Sequence, residues 1–216
     1  MPTDNPSTRE MLDRVIAYAA AEGITGRSLR EIAAGVGTSH RMLIYHFGSR
    51  EGMLGAIVAL IEQRQRDLLA DLPDQLARTA GQPATGPEAA AALMLALWRQ
   101  VSDPALRPFV RLFFEVVGVA VHGTPGTESF LDGLTRPWLD QAEATARRLG
   151  LPLDREALLL GIATSRGLLL ELLAGADPAQ TDAAYHLFVR MWSHWTTTTH
   201  PPAAAAGELP GNRARM

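Results

Sequence analysis

The spacing of the apolar residues is the feature that most constrains the fold of this chain. Apolar side chains recur at intervals of three and four residues in nearly every segment, as Leu12, Val15, Ile16 and Ala19 do near the start. The alternation of period two that half-buried strands require is absent. The pattern therefore predicts an all-α protein with about nine helices in total.

Proline and glycine divide the helical chain into segments. The stretch from Pro73 to Pro87 contains three prolines and two glycines, which predicts that the fourth helix ends near Leu72 and that a loop follows. Pro137 lies inside an otherwise helical segment, 127–149, and is expected to kink that helix or to divide it in two. The segment 200–216 is predicted to be a disordered tail, because it cannot bury enough apolar surface to become ordered.

The composition is that of a folded, cytoplasmic protein. A chain of 216 residues with 47% hydrophobic and 20% charged residues is not a disordered polyampholyte. The absence of cysteine excludes disulfides, thiolate metal sites and cysteine nucleophiles, and it fits a reducing compartment. Residues 1–8 lack the apolar core of a signal peptide, and Arg99 or Arg166 interrupts the longest apolar runs well short of a membrane span. No membrane association is therefore predicted.

The charge of the chain is unevenly distributed. A net charge of -3 argues against a protein that coats nucleic acid with a generally basic surface, so any phosphate binding must be local. Residues 1–50 contain six arginines and five acidic residues, whereas residues 51–216 contain 14 arginines and 18 acidic residues. The asymmetry is small, but it directs the N-terminal end toward polyanions.

Two short helices joined by a glycine-containing turn are predicted between Ser28 and Phe47. Ser28 and Glu31 have the spacing of a capping box, in which each side chain accepts a hydrogen bond from the backbone amide of the other residue. Gly37 gives the turn the backbone freedom it needs, and Leu43 is expected to face the core. This arrangement is typical of the helix-turn-helix, which inserts its second helix into the major groove of DNA.

Four runs within residues 28–51 carry a family pattern: Ser28-Leu29-Arg30-Glu31-Ile32-Ala33, Gly37-Thr38-Ser39, Leu43-Ile44-Tyr45-His46-Phe47 and Ser49-Arg50-Glu51. The pattern resembles the N-terminal domain of the tetracycline-repressor (TetR) family of bacterial transcriptional regulators. The match is close over residues 8–58, and beyond them only the length and the helical architecture agree.

The resemblance implies a homodimer that binds a palindromic operator in double-stranded DNA, usually as a repressor, and releases it when a small-molecule effector enters the C-terminal domain. It implies a three-helix DNA-binding domain with a helix-turn-helix over residues 1–50 and a larger helical ligand-binding and dimerisation domain over residues 51–199. Two positions depart from the family pattern. Ile44 stands where the family commonly has tyrosine, and Arg50 stands where it often has lysine, which keeps a phosphate-binding cation at a helix N-terminus.

The polar residues at and around the third helix are the candidates for DNA contacts. Arg41 is suited to bidentate contact with guanine, His40 to a base or a phosphate, and Ser39, Tyr45 and Arg50 to the DNA backbone. The complete set is Ser28, Thr38, Ser39, His40, Arg41, Tyr45, His46 and Arg50. The alternative is that the exposed arginine and histidine side chains are simply solvated.

The last two predicted helices, 154–174 and 178–197, are candidates for a dimer interface. The first is apolar almost all round, and a helix buried on two sides packs against its own domain and something else. We expect the two helices to form a four-helix bundle with a second copy. The candidate interface residues are Leu158, Ile162, Leu169, Leu172, Leu187, Met191 and Trp195. The alternative is that both helices lie inside one large core.

Aromatic and apolar residues interspersed with a few polar ones indicate a small-molecule pocket in the C-terminal domain. The candidates are Gln65, Trp98, Arg111, Phe113, Phe114, His122, Trp138 and Arg166. The alternative is that the aromatic residues are ordinary core. Arg111 and Glu115 also have the spacing of a surface ion pair, and Arg166 is compatible with a pocket, a dimer contact or a buried ion pair.

The sequence contains no recognisable catalytic site or metal site, so neither an enzyme nor a bound cofactor is predicted. There is no nucleophile elbow and no phosphate-binding loop. His186 and His194 lie on one predicted helix, but no third metal ligand has a convincing spacing. Two other functions stay open at this point: a helical partner-binding or assembly protein without sequence-specific DNA binding, and a transcriptional activator with the same fold.

Overall fold

The computed structural model describes residues 6–24, 26–80, 85–123, 128–151 and 154–199. These residues form ten α-helices and one turn of 3-10 helix, with no strand among them, which confirms the all-α prediction. The helices are α1 (Pro6–Glu22), α2 (Leu29–Gly35), α3 (His40–Phe47), α4 (Arg50–Ala80), α5 (Gly86–Val101), α6 (Arg107–Val121), α7 (Glu128–Leu134), α8 (Arg136–Arg148), α9 (Arg155–Ala174) and α10 (Pro178–Thr199); the 3-10 turn is Pro104–Leu106. The tail predicted over residues 200–216 lies outside the described residues.

The two prolines that were expected to interrupt helices behave differently. Pro137 divides its segment, because α7 ends at Leu134 and α8 begins at Arg136, which places the proline in the first turn, where its missing N–H is not needed. Pro73, in contrast, lies inside α4, so the prediction that the helix ends near Leu72 is wrong.

A side chain from α8 bonds to α4 on both sides of its proline. Proline removes one hydrogen bond from a helix and disturbs the carbonyl groups in the preceding turn. The guanidinium group of Arg148 donates to the carbonyl oxygen of Ala70 over 2.7 Å and to the carboxylate of Asp74 over 2.6 Å. This single side chain therefore joins the two turns that flank Pro73.

The core of the N-terminal part extends into the C-terminal helices. We call α1, α2, α3 and the first turns of α4 the head. Its buried residues, which include Leu12, Ile32 and Leu43, form one cluster with Val116 of α6 and Phe130 of α7. The head is thus packed directly onto α6 and α7 rather than separated from them by a linker.

Two smaller clusters hold the C-terminal helices together. One joins α5, α8 and α10 around Leu93, Leu149 and Trp192, and the other joins α5 and α10 around Trp98 and Tyr185. In the described part of the chain, α9 is the one helix long and apolar enough to cross a membrane by length and composition. Here it packs against α6, α8 and α10.

Candidate DNA-binding face and internal cavities

The start of α2 is fixed by the capping box that the sequence predicts. The hydroxyl of Ser28 accepts from the amide of Glu31 over 3.3 Å, and the carboxylate of Glu31 accepts from the amide of Ser28 over 2.7 Å. Hydrogen bonds from the Ser28 side chain and backbone hold the pKa of Glu31 below its usual value. These bonds satisfy amide groups that have no partner inside the helix.

The turn between α2 and α3 depends on a glycine and on a side chain from α1. Gly37 has a φ of +67°, which residues with a side chain rarely adopt. The amide of Thr38 donates back to the carbonyl oxygen of Ala33 over 2.9 Å. The guanidinium group of Arg14 donates to the carbonyl oxygens of Val36 and Gly37 at the C-terminal end of α2. α1 therefore fixes the angle at which α3 leaves the turn.

Helix α3 presents a continuous exposed face. It is capped by Ser39, whose hydroxyl accepts from the amide of Met42 over 3.2 Å, and Leu43 anchors its inner side with no exposed surface. Tyr45 is 76% exposed. The exposed residues of the helix are His40, Arg41, Met42, Ile44 and Tyr45.

The predicted contact residues that precede α2 and α3 differ in exposure, and α3 exposes one residue that was not among them. Ser28 and Ser39 are exposed, whereas Thr38 is half-buried in the turn. Ile44 is exposed but was not assigned a contact from the sequence. The exposed face thus contains Arg41 and Tyr45 together with two apolar side chains.

His46 does not belong to the exposed face, contrary to the sequence-based expectation. The residue is only 6% exposed, and its Nδ1 atom lies 2.9 Å from the hydroxyl of Thr8 on α1. The reason is helical geometry, because His46 follows the buried Leu43 by three residues and so shares its face. In this structure His46 fastens α3 to α1.

Arg50 is half-buried, and its guanidinium group is bound by other parts of the protein. Its Nε donates to the carbonyl oxygen of Arg27 over 2.9 Å, and its two terminal nitrogens each lie 3.3 Å from a carboxylate oxygen of Glu115 on α6. The expected surface pair between Arg111 and Glu115 is replaced by this one. The contact joins the end of the helix-turn-helix to the C-terminal helices.

A first cavity, of about 80 Å³, lies between α4, α6 and α9. Its walls are mainly apolar and include three of the predicted ligand residues, Gln65, Phe113 and Arg166. The carboxylate of Glu62 also faces it, and sequence reasoning missed this residue. The cavity therefore combines an apolar surface with a charged pair.

The charged pair of this cavity is embedded in hydrogen bonds. Glu62 is 8% exposed, and its Oε1 atom accepts from the indole nitrogen of Trp138 over 3.2 Å and lies 3.5 Å from a guanidinium nitrogen of Arg166. Arg166 also donates to the carbonyl oxygen of Leu134 over 2.5 Å and to the hydroxyl of Thr135 over 3.3 Å. The sequence left three roles open for Arg166. In the structure the residue both forms the ion pair and lines the pocket.

Burial opposes the charge on both members of the pair. It raises the pKa of Glu62, although the guanidinium of Arg166 and the hydrogen bond from Trp138 act in the opposite direction. Burial also lowers the pKa of Arg166, while the carboxylate of Glu62 raises it. Each charge thus depends on the other.

The remaining predicted ligand residues lie elsewhere. Trp98 is core: it stacks on Tyr185 at a ring-centroid distance of 4.4 Å and donates to the carboxylate of Asp182 over 3.0 Å. Arg111 and His122 are exposed on α6 and at its end. Phe114 packs edge-on against Phe113, and Trp138 holds Glu62 rather than lining the cavity.

A second, larger cavity of about 130 Å³ lies between α5, α8, α9 and α10 and reaches Leu69 of α4. None of the eight predicted ligand residues lines it. Its walls instead include Leu158 and Ile162, which the sequence assigned to the dimer interface. The sequence pattern could not separate a helix face that lines a cavity from one that meets a second copy.

Residues 12–57 match the model of the family described as "Bacterial regulatory proteins, tetR family". Over this stretch the chain is similar to members of the TetR family. The matched residues run from the first core positions of α1 to the first turns of α4, so the family match coincides with the head. No curated protein matches the chain in sequence.

Solved structures of TetR-type regulators share the fold over nearly the whole chain. A transcriptional regulator from Rhodococcus sp. Rha1 superposes with a TM-score of 0.60 at 20% identity, covering 88% of this chain and 97% of its own. A protein from Mesorhizobium loti described as a TetR-family transcriptional regulator gives 0.58 at 16% identity, covering 87% and 95%. The fatty acid degradation regulator FadR from Bacillus halodurans gives 0.55 at 14% identity, covering 86% and 95%. At these identities the likeness establishes the fold alone.

The TetR-type fold leaves an apolar surface exposed on α9 and α10. Its large side chains are Leu159, Leu160, Leu170, Leu187, Met191 and Trp195, and Met191 is 63% exposed. Leu187, Met191 and Trp195 were predicted as interface residues. On α9, Leu158 is buried, which argues against its predicted place in an interface, whereas Ile162, Leu169 and Leu172 are half-buried and stay predicted interface residues.

Proposed function

We propose that the protein is a cytoplasmic transcriptional repressor that binds a palindromic operator as a homodimer and releases it when a small molecule binds the C-terminal domain. The observation that carries this proposal is the exposed face of α3, which stands at the end of a TetR-family head with its polar side chains directed outward. A helix of this kind enters the major groove of DNA, which is wide enough to admit it.

The residues of α3 divide into those that read bases and those that bind the backbone. Arg41 is suited to a bidentate contact with guanine, and Ile44 to an apolar contact with the methyl group of thymine. His40 reaches a base or a phosphate. Ser39 and Tyr45 bind phosphates and fix the register of the helix, as do Ser28 and Thr38 at the edge of the head.

The exposed apolar surface of α9 and α10 supports dimerisation. Monomeric proteins rarely expose a continuous apolar patch of several large side chains. A second copy that brings the same surface against it, around a two-fold axis, forms a four-helix bundle. The two heads then face successive major grooves, and the operator takes the same symmetry as the protein.

Effector release requires a mechanical link between the cavities and the head, and α4 is suited to this role. It begins at Arg50, beside the helix-turn-helix, and carries Glu62 and Gln65 in the wall of the first cavity. The ion pair between Arg50 and Glu115 makes a second link, through α6. A ligand that binds better to one orientation of these helices shifts the separation of the heads.

The first experiment is selection of bound duplexes from random DNA by the purified protein. We expect a palindromic consensus with two half-sites about one helical turn apart. If no duplex is enriched over bulk competitor at moderate salt, the proposal is rejected in favour of a helical assembly protein.

Variants of α3 then test the residues that read the selected site in gel-shift titrations. Arg41→Ala is expected to weaken binding about 5- to 100-fold, which corresponds to the loss of one bidentate base contact. Tyr45→Phe should weaken it less, because only a phosphate contact is lost. Arg99→Ala is the matched control, since Arg99 is exposed on α5, away from the head. Unchanged affinity in both α3 variants would reject the assignment.

A further inference from the structure

The larger cavity, between α5, α8, α9 and α10, has the size and walls of a small-molecule site. Its volume is about 130 Å³, close to that of the apolar cavities of about 150 Å³ that bind benzene in a protein core. Its walls come from α5, α8, α9 and α10, with Leu69 of α4, and include Leu93, Met94, Ala146, Leu158 and Trp192. A ring of six carbon atoms therefore matches it in both size and polarity.

The lining of this cavity excludes a charged ligand. No charged side chain is among the described residues that line it, and its polar side chains are the hydroxyl groups of Thr145, Ser165 and Tyr185 together with the indole of Trp192. Removing an ion from water without a partner costs many kcal/mol, so a carboxylate or an ammonium group is rejected here. The first cavity differs, because Glu62 and Arg166 face it.

Two of these hydroxyl groups, those of Ser165 and Tyr185, leave one hydrogen-bonding position for a ligand. The hydroxyl of Ser165 lies 2.9 Å from the carbonyl oxygen of Gly161, one turn earlier, and 3.3 Å from the hydroxyl of Tyr185. When Ser165 donates to Gly161, it accepts from Tyr185, and the Tyr185 oxygen still has a lone pair for a ligand. Burial raises the pKa of Tyr185, which keeps its hydroxyl protonated.

We propose that this cavity binds an uncharged, mainly apolar molecule that is about as large as a substituted benzene ring and carries one hydrogen-bonding group, and that this molecule is the effector. The inference rests on the proposed function in its second half, because an effector needs an operator to release. The binding itself depends only on the cavity.

The position of the cavity explains how such a ligand acts on the rest of the protein. Leu69 reaches it from α4, the helix that begins at the head. Leu158 and Ile162 reach it from α9, and their neighbours Leu159 and Leu160 are exposed on the same helix. A ligand therefore contacts both the helix that leads to DNA and the helix proposed to meet the second copy.

Three probes of nearly the same shape test the chemistry: benzyl alcohol, toluene and benzoate. We expect calorimetry with the full chain, without DNA, to show binding of the two uncharged compounds and at least tenfold weaker binding of benzoate. Tyr185→Phe keeps the ring stacked on Trp98. It should weaken the binding of benzyl alcohol several-fold and leave the binding of toluene unchanged. Binding of benzoate as strong as that of benzyl alcohol would overturn the proposal.

A variant in which a larger side chain fills the cavity tests where the probes bind. A Cβ atom added at Gly161 meets nothing within 4 Å, so Gly161→Met places a flexible side chain at the wall of the cavity without a backbone clash. It should abolish binding of both uncharged probes. Gly118→Met is the control, because Gly118 is exposed on α6 and a Cβ there also meets nothing within 4 Å. Unchanged binding in the Gly161 variant would place the probes elsewhere and refute the site.

The last measurement separates the two proposals. Benzyl alcohol at saturating concentration should lower the affinity of the wild-type protein for its selected operator and leave that of Gly161→Met unchanged. If the probe binds but operator affinity stays the same, the cavity is not the effector site, while the DNA-binding proposal stands. If no operator can be selected, the regulator proposal fails, while calorimetry still decides whether the cavity binds uncharged ligands.

Discussion

Replacing Arg166 by methionine should make the stability of the protein depend on pH in a specific direction. Arg166 is paired with Glu62 between α9 and α4, and both side chains are largely removed from solvent. Methionine keeps most of the apolar volume of the arginine stem but removes the charge. The variant leaves the carboxylate of Glu62 buried with the indole N–H of Trp138 and the nearby Arg66 as its remaining partners.

The magnitude follows from the environment of the carboxylate that is left behind. Removing one partner of a buried pair typically costs about 3–5 kcal/mol. The cost here should lie below this range, at about 2–3 kcal/mol, because Arg66 still lowers the pKa of Glu62 and the lost contact is long, at 3.5 Å. For a chain of this length, such a loss lowers the melting temperature by about 4–12 °C.

The direction with pH follows from the pKa of Glu62. Burial raises this pKa in the folded protein, so the folded state holds its proton to a higher pH than the unfolded state does. Stability is therefore lost as the pH rises from the unfolded pKa through the folded one. Without the guanidinium of Arg166 the folded pKa rises further, and the loss caused by Arg166→Met should therefore be larger at pH 8 than at pH 5.

Urea unfolding of wild type and variant at equal protein concentration, at pH 5 and pH 8, measures this difference. Comparing the two proteins at the same pH removes the contribution to stability of histidines and other groups that titrate in both. The double variant Glu62→Gln, Arg166→Met is the control, because it has no buried charge at either position and its loss relative to wild type should not grow from pH 5 to pH 8. A loss in Arg166→Met that is equal at both pH values would refute the reasoning.

Three further outcomes are expected. Gly52→Ala should unfold the connection between α3 and α4, because a Cβ atom would lie 2.3 Å from the carbonyl oxygen of Phe47, whereas Gly55→Ala, which meets nothing within 4 Å, should raise the urea midpoint. Ser28→Ala should cost about 1 kcal/mol in urea unfolding through loss of the helix cap, and a variant as stable as wild type would contradict this. Leu160→Glu should convert a dimer into a monomer in sedimentation at micromolar concentration; a monomeric wild type would exclude the dimer.

The local structure of the head could be predicted from the sequence because short-range chemistry determines it. The capping box at Ser28, the positive φ at Gly37 and the inward position of Leu43 all follow from spacing and residue type. His46 lies one turn after Leu43, so helical spacing also places it on the buried face. Its partner Thr8 is distant in the sequence, so the contact itself had no local signal.

The C-terminal helices were less predictable because long-range packing decides which face is buried. Glu62 lies among polar residues in a helix and looks like a solvated side chain, yet Trp138 and Arg166 enclose it. On α9, leucines occur on every side, so periodicity alone could not distinguish the exposed Leu159 from the buried Leu158. Pro73 was wrongly expected to end α4, and the side chain that bonds to α4 on both sides of it, Arg148, comes from the distant α8.

The shared core of the head, α6 and α7 limits how this protein can be recombined with its relatives. A chimera made by joining residues 1–50 to another regulator would inherit Leu12 and Leu43 but lose Val116 and Phe130, which complete the same cluster. The transplanted head would then place its apolar surface against helices that do not complement it. Exchanging the proposed DNA specificity between proteins of this fold therefore requires grafting single side chains of α3, or moving the head together with the surface on which it rests.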